Sequence, residues 1–132
     1  EGGGDHACEY MTGGRVVILG PTGRNLGAGM TGGTAFVYDP HGALATRHHA
    51  PSVELFRLPE VPSPAALEAA RETLHGLVVL HARRTGSARA RELLAQWDRV
   101  LPHFWWVVPR ASRERILEET ALVLPAVAAG LD

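Results

Sequence analysis

A short β-solenoid of glycine-cornered coils followed by helices, mainly β with α, is the fold that this sequence predicts. Three observations predict it. The stretch MTGGRVVILG from Met11 recurs as MTGGTAFVYD from Met30, an offset of 19 residues. Most of the 15 glycines crowd into the first 42 residues. From Ser63 onward the composition turns to Ala, Leu, Arg and Glu, and the apolar period becomes helical.

The first half carries the strands. Arg15 to Leu19 and Thr34 to Tyr38 are each preceded by a Gly-Gly pair, and Val53 to Leu58 offers a third apolar, β-branched run. A unit of about 20 residues made of a strand and tight turns cannot hide its apolar face alone, so it stacks on its neighbours. Gly13, Gly14, Gly20, Gly23, Gly27, Gly29, Gly32 and Gly33 form the structural glycine motif of these corners, joined by Pro21. Pro59-Glu60-Val61-Pro62 then punctuates the chain. Residues 1–58 are expected to form the coils, and 59–132 a helical segment packed on or beside them.

Ser63-Pro64 is an N-cap followed by proline at the first helical position, and Leu67, Ala70, Leu74, Leu77, Val78 and His81 then share a face. Gly86 ends that helix. Ser87 caps the next, with Ala90, Leu93, Leu94, Trp97 and Leu101 along one stripe before Pro102. Phe104-Trp105-Trp106-Val107-Val108 is short, apolar and flanked by prolines, which predicts an extended or docking segment. Ser112 caps a third predicted helix with Ile116, Leu117, Thr120, Val123 and Leu124 inward, and Pro125 kinks or ends it.

Composition narrows the function classes. A chain of 132 residues suits one domain large enough to bury a core without disulfide or metal. Net charge −1 with 20% charged residues leaves no electrostatic footprint for nucleic acid or an anionic membrane. All 13 basic residues are Arg, which excludes a Lys Schiff base or a Walker-type Lys. Cys8 is the sole cysteine, so the chain by itself forms no disulfide and no Cys-based zinc or iron–sulfur site. A reducing cytoplasm fits. No apolar run approaches a membrane-spanning length, and the first residues lack a signal-peptide pattern. Glu1 in place of Met predicts a piece of a longer polypeptide.

Several clusters invite chemical readings, each with a structural alternative. Gly20-Pro21-Thr22-Gly23-Arg24-Asn25 resembles a phosphate loop, but Leu26-Gly27-Ala28-Gly29 follows it, a poor helix start. A Walker loop ends in Gly-Lys-Ser/Thr and opens a helix, so a solenoid corner is preferred. Asp5, His6, Cys8 and Glu9 place a thiol near an imidazole, the outline of a nucleophile and base without an assignable orienting group. A small buried Cys is the preferred reading. His48-His49 with His41 nearby suggests a metal, yet adjacent residues on an extended chain point to opposite faces. A solvated loop is preferred. Arg83, Arg84, Arg89, Arg91 and Arg99 interleave with Glu92 and Asp98, as helix-surface pairing would require. Trp97 falls on the core stripe; adjacent Trp105 and Trp106 cannot both face the same core from an extended strand, so a contact of one with a neighbouring domain or subunit is an alternative, and core packing against the helices is the preferred reading. No catalytic residue, cofactor-binding residue or metal ligand is assigned.

GDHACEYMTGGRVVILGPTGRNLGAGMTGG closely resembles the C-terminal Gly-X-Gly-X-Gly domain of the glutamate synthase large subunit, and TGSARARELLAQWDRVLPHFWWVVPR resembles the helical tail that follows it. The chain departs from the family at Ala7, usually Gly, and at Trp105-Trp106, usually a smaller or more polar pair. His41 to Pro51 carries no family feature. The resemblance implies a right-handed β-helix without catalytic residues, set against glutaminase and synthase domains of the same or a partner polypeptide. It also implies a parent reaction in which the amide nitrogen of glutamine passes to 2-oxoglutarate to form glutamate. FMN and an iron–sulfur cluster would be bound elsewhere in that parent, and further N-terminal coils would precede Glu1. The function expected on this basis is structural, positioning or coupling the two active sites. A second hypothesis is a free-standing interaction module that forms a homo-oligomer through an uncapped coil or its tryptophans, since unpaired strand edges favour self-association. An enzyme using Cys8 and His6 is the least favoured.

Overall fold

The computed structural model describes residues 12–20, 26–42, 44 and 51–118. Strands β1 (Thr12–Ile18), β2 (Gly32–Tyr38) and β3 (Val53–Arg57) come first, and helices α1 (Pro64–Thr85), α2 (Ala88–Ala95) and α3 (Trp97–Val100) follow. Strand β4 (Phe104–Pro109) closes the order. A helical stretch at 113–118 follows a single turn over Arg110–Ser112. Among the described residues the strands form one open mixed sheet in the order β1-β2-β4-β3. β1 and β2 are parallel, whereas β4 runs antiparallel to both β2 and β3. The sheet therefore draws strands from both sides of the Pro59–Pro62 connector.

The internal repeat is the pairing register. Arg15, Val16, Val17 and Ile18 lie opposite Thr34, Ala35, Phe36 and Val37, each 19 residues on. At Thr12 the partner is Gly32, so Gly13 and Gly14 together face Gly33 in a bulge. Gly14 and Gly33 are repeat equivalents, and both sit in the left-handed region at φ 84° and 74°.

Phe104–Pro109 is an interior strand. Aromatic and β-branched residues favour a pleated surface, and a strand covered on both faces has no polar alternation. Cross-strand rows follow from the pairing: Val17, Phe36, Trp106 and Phe56 line one face, and Ile18, Val37, Trp105 and Arg57 the other. On the first face α1, α2 and α3 bury a core with Leu19, Phe36, Phe104, Trp106 and Val108. On the second a smaller core gathers Ile18, Ala35, Val37, Val53 and Val107 beneath Leu26, Met30 and Leu44.

Helix α1 begins where Ser63 Oγ accepts from the Ala66 N–H at 3.2 Å, and it stops at Gly86, φ 65°. Its buried line is Ala66, Ala69, Ala70, Leu74 and Val78. The face is turned from the expected one: Leu67 and Leu77 are only partly buried, and His81 lies half-exposed. Alanines let a helix axis approach the sheet closely, but their weak apolarity gives little sequence signal. One further expectation is corrected. The single helix drawn through Ala90, Leu93, Leu94, Trp97 and Leu101 breaks at Gln96 (φ −123°, ψ 36°) into α2 and α3. The Ser112 hydroxyl donates to the Thr31 carbonyl at 2.5 Å and accepts from the Arg115 guanidinium at 3.3 Å, pinning that turn to the start of β2.

Candidate functional site

The glycine-rich strand pair and the turn between its members form the candidate site. In the turn at residues 26–30, the Met30 N–H donates to the Gly27 carbonyl at 3.0 Å, and the Gly29 N–H to Ser52 Oγ at 3.1 Å. Both backbone donors are thus used within the protein. Gly27 has φ 76°, and a Cβ there would stand 2.7 Å from Val53 Cγ1. Its backbone thus presses directly on the strand that begins the opposite sheet edge.

A second constellation sits at the end of β2. Asp39 is 9% exposed, and its Oδ2 accepts from the Leu44 N–H at 3.0 Å and from Trp105 Nε1–H at 2.9 Å. The Asp39 N–H in turn donates to the His103 carbonyl at 2.9 Å. Arg57 lies over the Trp105 ring, 4.4 Å from its centroid, and donates to the Pro102 carbonyl at 3.3 Å. One carboxylate thereby ties the loop after β2 to β4.

The tryptophans divide between the faces. Trp106 is 2% exposed, stacked on Phe36 with centroids 6.2 Å apart, and 6.4 Å from Phe56. Its Nε1–H has no acceptor among the described residues. Trp105 packs against the second core. Trp97 lies edge-on to His75 at 5.0 Å and near Phe104 at 5.8 Å, partly buried as its stripe predicts. Adjacent strand residues point to opposite faces, and here each face has a core to receive its indole. Sequence reasoning foresaw the divergence but not the second core.

Other candidates resolve individually. Gly20 is described and half-exposed, whereas residues 21–25, and with them Gly23, lie outside the described residues. Asp5, His6, Cys8, Glu9, His48 and His49 also lie outside them, and His41 is exposed. Among the described residues no three His, Cys, Asp or Glu side chains are grouped to hold a metal. Two arginines of the basic patch bind main-chain carbonyls: Arg89 donates to Leu19 at 3.5 Å and Arg91 to Gly86 at 3.0 Å. The second neutralises carbonyl charge at the C-terminal end of α1. No described helix is long and apolar enough to cross a membrane. Asp39 and Ser52 were missed as organising residues, since a lone Asp before Pro and a lone Ser after Pro read only as turn formers.

The glycine pattern is matched over residues 1–110 by the family described as GXGXG motif. The chain belongs to the GXGXG family. This GXGXG domain is 44% identical over 120 residues to a ferredoxin-dependent glutamate synthase of Pyropia yezoensis, covering 91% of the chain. It is 41% identical over 114 residues to the chloroplastic ferredoxin-dependent glutamate synthase of Spinacia oleracea, covering 86%. It is 42% identical over 121 residues to a glutamate synthase [NADH] of Schizosaccharomyces pombe, covering 92%. The domain spans 7% of the length of the first two relatives and 5% of the third. It therefore corresponds to one domain of glutamate synthases.

Proposed function

We propose that this GXGXG domain is a non-catalytic scaffold of a glutamate synthase-type enzyme, holding glutaminase and synthase sites in a fixed relation. In that enzyme the amide nitrogen of glutamine is transferred to 2-oxoglutarate with reductive formation of glutamate. The observation that carries the reading is the identity of the 19-residue repeat with the β1/β2 register. The glycines serve backbone pairing and close approach, and the Gly29 and Met30 N–H groups of the turn at residues 26–30 are committed within the protein. In this reading β1 and β2 are successive rungs of a right-handed β-helix, a stiff element suited to keeping two sites at a set distance.

FMN and an iron–sulfur cluster belong to other domains of such a parent. Clusters are held by several thiolates, and Cys8 alone does not suffice. Relatives named for ferredoxin and for NADH match this domain at similar identity, which favours a role neutral to the electron donor. A cytoplasmic setting belongs to the same proposal, although the spinach relative is named chloroplastic.

The test is Gly33→Val in the full-length polypeptide that carries the domain. The expected result is retained hydrolysis of glutamine with a several-fold fall in glutamine-dependent glutamate formation. Unchanged coupling of the two activities in a variant whose β1/β2 pairing is demonstrably lost would overturn the scaffold role.

A further inference from the structure

Helix α1 carries a second ridge opposite the one it buries. Ala66, Ala70, Leu74 and Val78 form the buried ridge at four-residue spacing. Two residues on, about 200° round the helix, Glu68, Glu72, Gly76, Leu80 and Arg84 form another at the same spacing, and every one of them is exposed. Leu80, at 42%, is the one large apolar side chain this exposed among the described residues. Gly76 faces open space, with nothing within 4 Å of a Cβ built there. Glycine is the poorest helix former after proline, and here neither a left-handed backbone nor a close approach within the chain calls for it. Glu68 pairs with Arg71 at 3.1 Å, whereas Glu72 and Arg84 have no ion pair or hydrogen bond among the described residues.

We propose that two copies of this domain pair through α1, antiparallel about a two-fold axis at the level of Val78, with each Leu80 seated on the other copy's Gly76. The order of the exposed ridge is self-complementary: from Glu72 it runs acid, gap, apolar knob, base, and an antiparallel copy presents base, knob, gap, acid. Leu80 then covers the partner's Gly76, and Glu72 meets the partner's Arg84. Both pairings share one centre, since Gly76 and Leu80, like Glu72 and Arg84, lie equally far on either side of Val78. One axis therefore makes each contact twice, as an isologous interface requires. A parallel copy would instead set Glu72 against the partner's Glu72 and one knob against the other. The missing Cβ at Gly76 lets the two axes approach at the short end of the usual range of about 8–10 Å. A single helix pair covers less than the standard interface of about 1,600 Å², so the dimer is weak and concentration-dependent. The proposal concerns α1 alone and does not depend on the scaffold reading.

The test is sedimentation equilibrium of the full-length polypeptide that carries the domain, unaltered and as Gly76→Leu, Glu72→Arg and Arg84→Glu. The unaltered polypeptide should self-associate reversibly. Gly76→Leu should abolish that association without lowering the unfolding temperature, because the added side chain fills the seat of Leu80 and improves the helix. Each charge reversal should weaken association by about tenfold or more, since it turns two attractions into two repulsions. An equimolar mixture of Glu72→Arg with Arg84→Glu should recover the unaltered affinity, because the mixed pair again sets acid against base at both ends, and a folding defect could not be rescued in this way. Absence of association up to about 100 μM overturns the proposal. Association unchanged in all three variants overturns it by placing the contact on another surface, such as the strand edges or the tryptophans. Weakening that the mixture fails to repair overturns the antiparallel register and the proposal with it.

Discussion

Gly27 and Asp39 show how single residues hold this fold. At Gly27 the left-handed φ and the 2.7 Å approach of Val53 Cγ1 act together against any side chain. Gly27→Ala is therefore expected to cost about 1–3 kcal/mol, combining the left-handed strain of an L-residue with a steric clash. Chemical denaturation should show a lower midpoint at unchanged slope. Asp39 acts through its acceptor. Asp39→Ala deprives the buried Leu44 N–H and the Trp105 indole N–H of their shared oxygen. The expected loss is about 2–4 kcal/mol, because an unpaired buried donor forfeits its hydration without compensation. Asp39→Asn retains an acceptor and should lose less by the same measurement. A red-shift of Trp105 fluorescence in Asp39→Ala, absent from Asp39→Asn, would check that the indole is the group released.

Among the elements, α1 is the one whose limits were plain in advance. Ser63, Pro64 and Gly86 are local devices whose effect depends only on the adjoining backbone, and they work where they stand. Inside α1, Gly76 lies exposed, and a Cβ added there would meet nothing within 4 Å. Gly76→Ala should therefore raise stability by about 0.5–1 kcal/mol through helix propensity, seen as a higher Tm. An unchanged or lower Tm would mean that this face of α1 is covered by something a methyl group obstructs. β4 was harder to read. Its run of five apolar residues satisfies both a core strand and a docking segment, since covering both faces erases the alternation that marks a half-buried strand. The division at Gln96 was also hidden, because the stripe from Ala90 to Leu101 fits one helix as well as two short ones.

At the scale of the whole molecule, β4 is the keystone, pairing with β2 on one side and β3 on the other. The glycine-rich segment therefore lacks a continuous sheet without residues 104–109. Expressed alone, residues 1–58 should show no cooperative thermal unfolding, since β3 would lose its sheet partner and both cores their central strand. A sharp calorimetric transition from that fragment would show that β1, β2 and β3 have another way to associate. The pairing of β1 with β2 contrasts with this. It joins neighbouring chain segments in parallel through a short connection, and its register was written in the repeat itself.

The sequence by itself determined what local chemistry and internal repetition control. These were the β1/β2 register through the Met11 and Met30 repeats, the left-handed glycines within it, the ends of α1, and membership of the GXGXG family. Only the tertiary structure decided which strand stands at the centre, that both Trp105 and Trp106 have cores to enter, and that Asp39 and Ser52 bind distant loops. Those outcomes depend on contacts between residues far apart in the chain, such as Asp39 with Trp105 and Ser112 with Thr31. Periodicity reports which side of an element is apolar, and it carries no record of what will pack against that side.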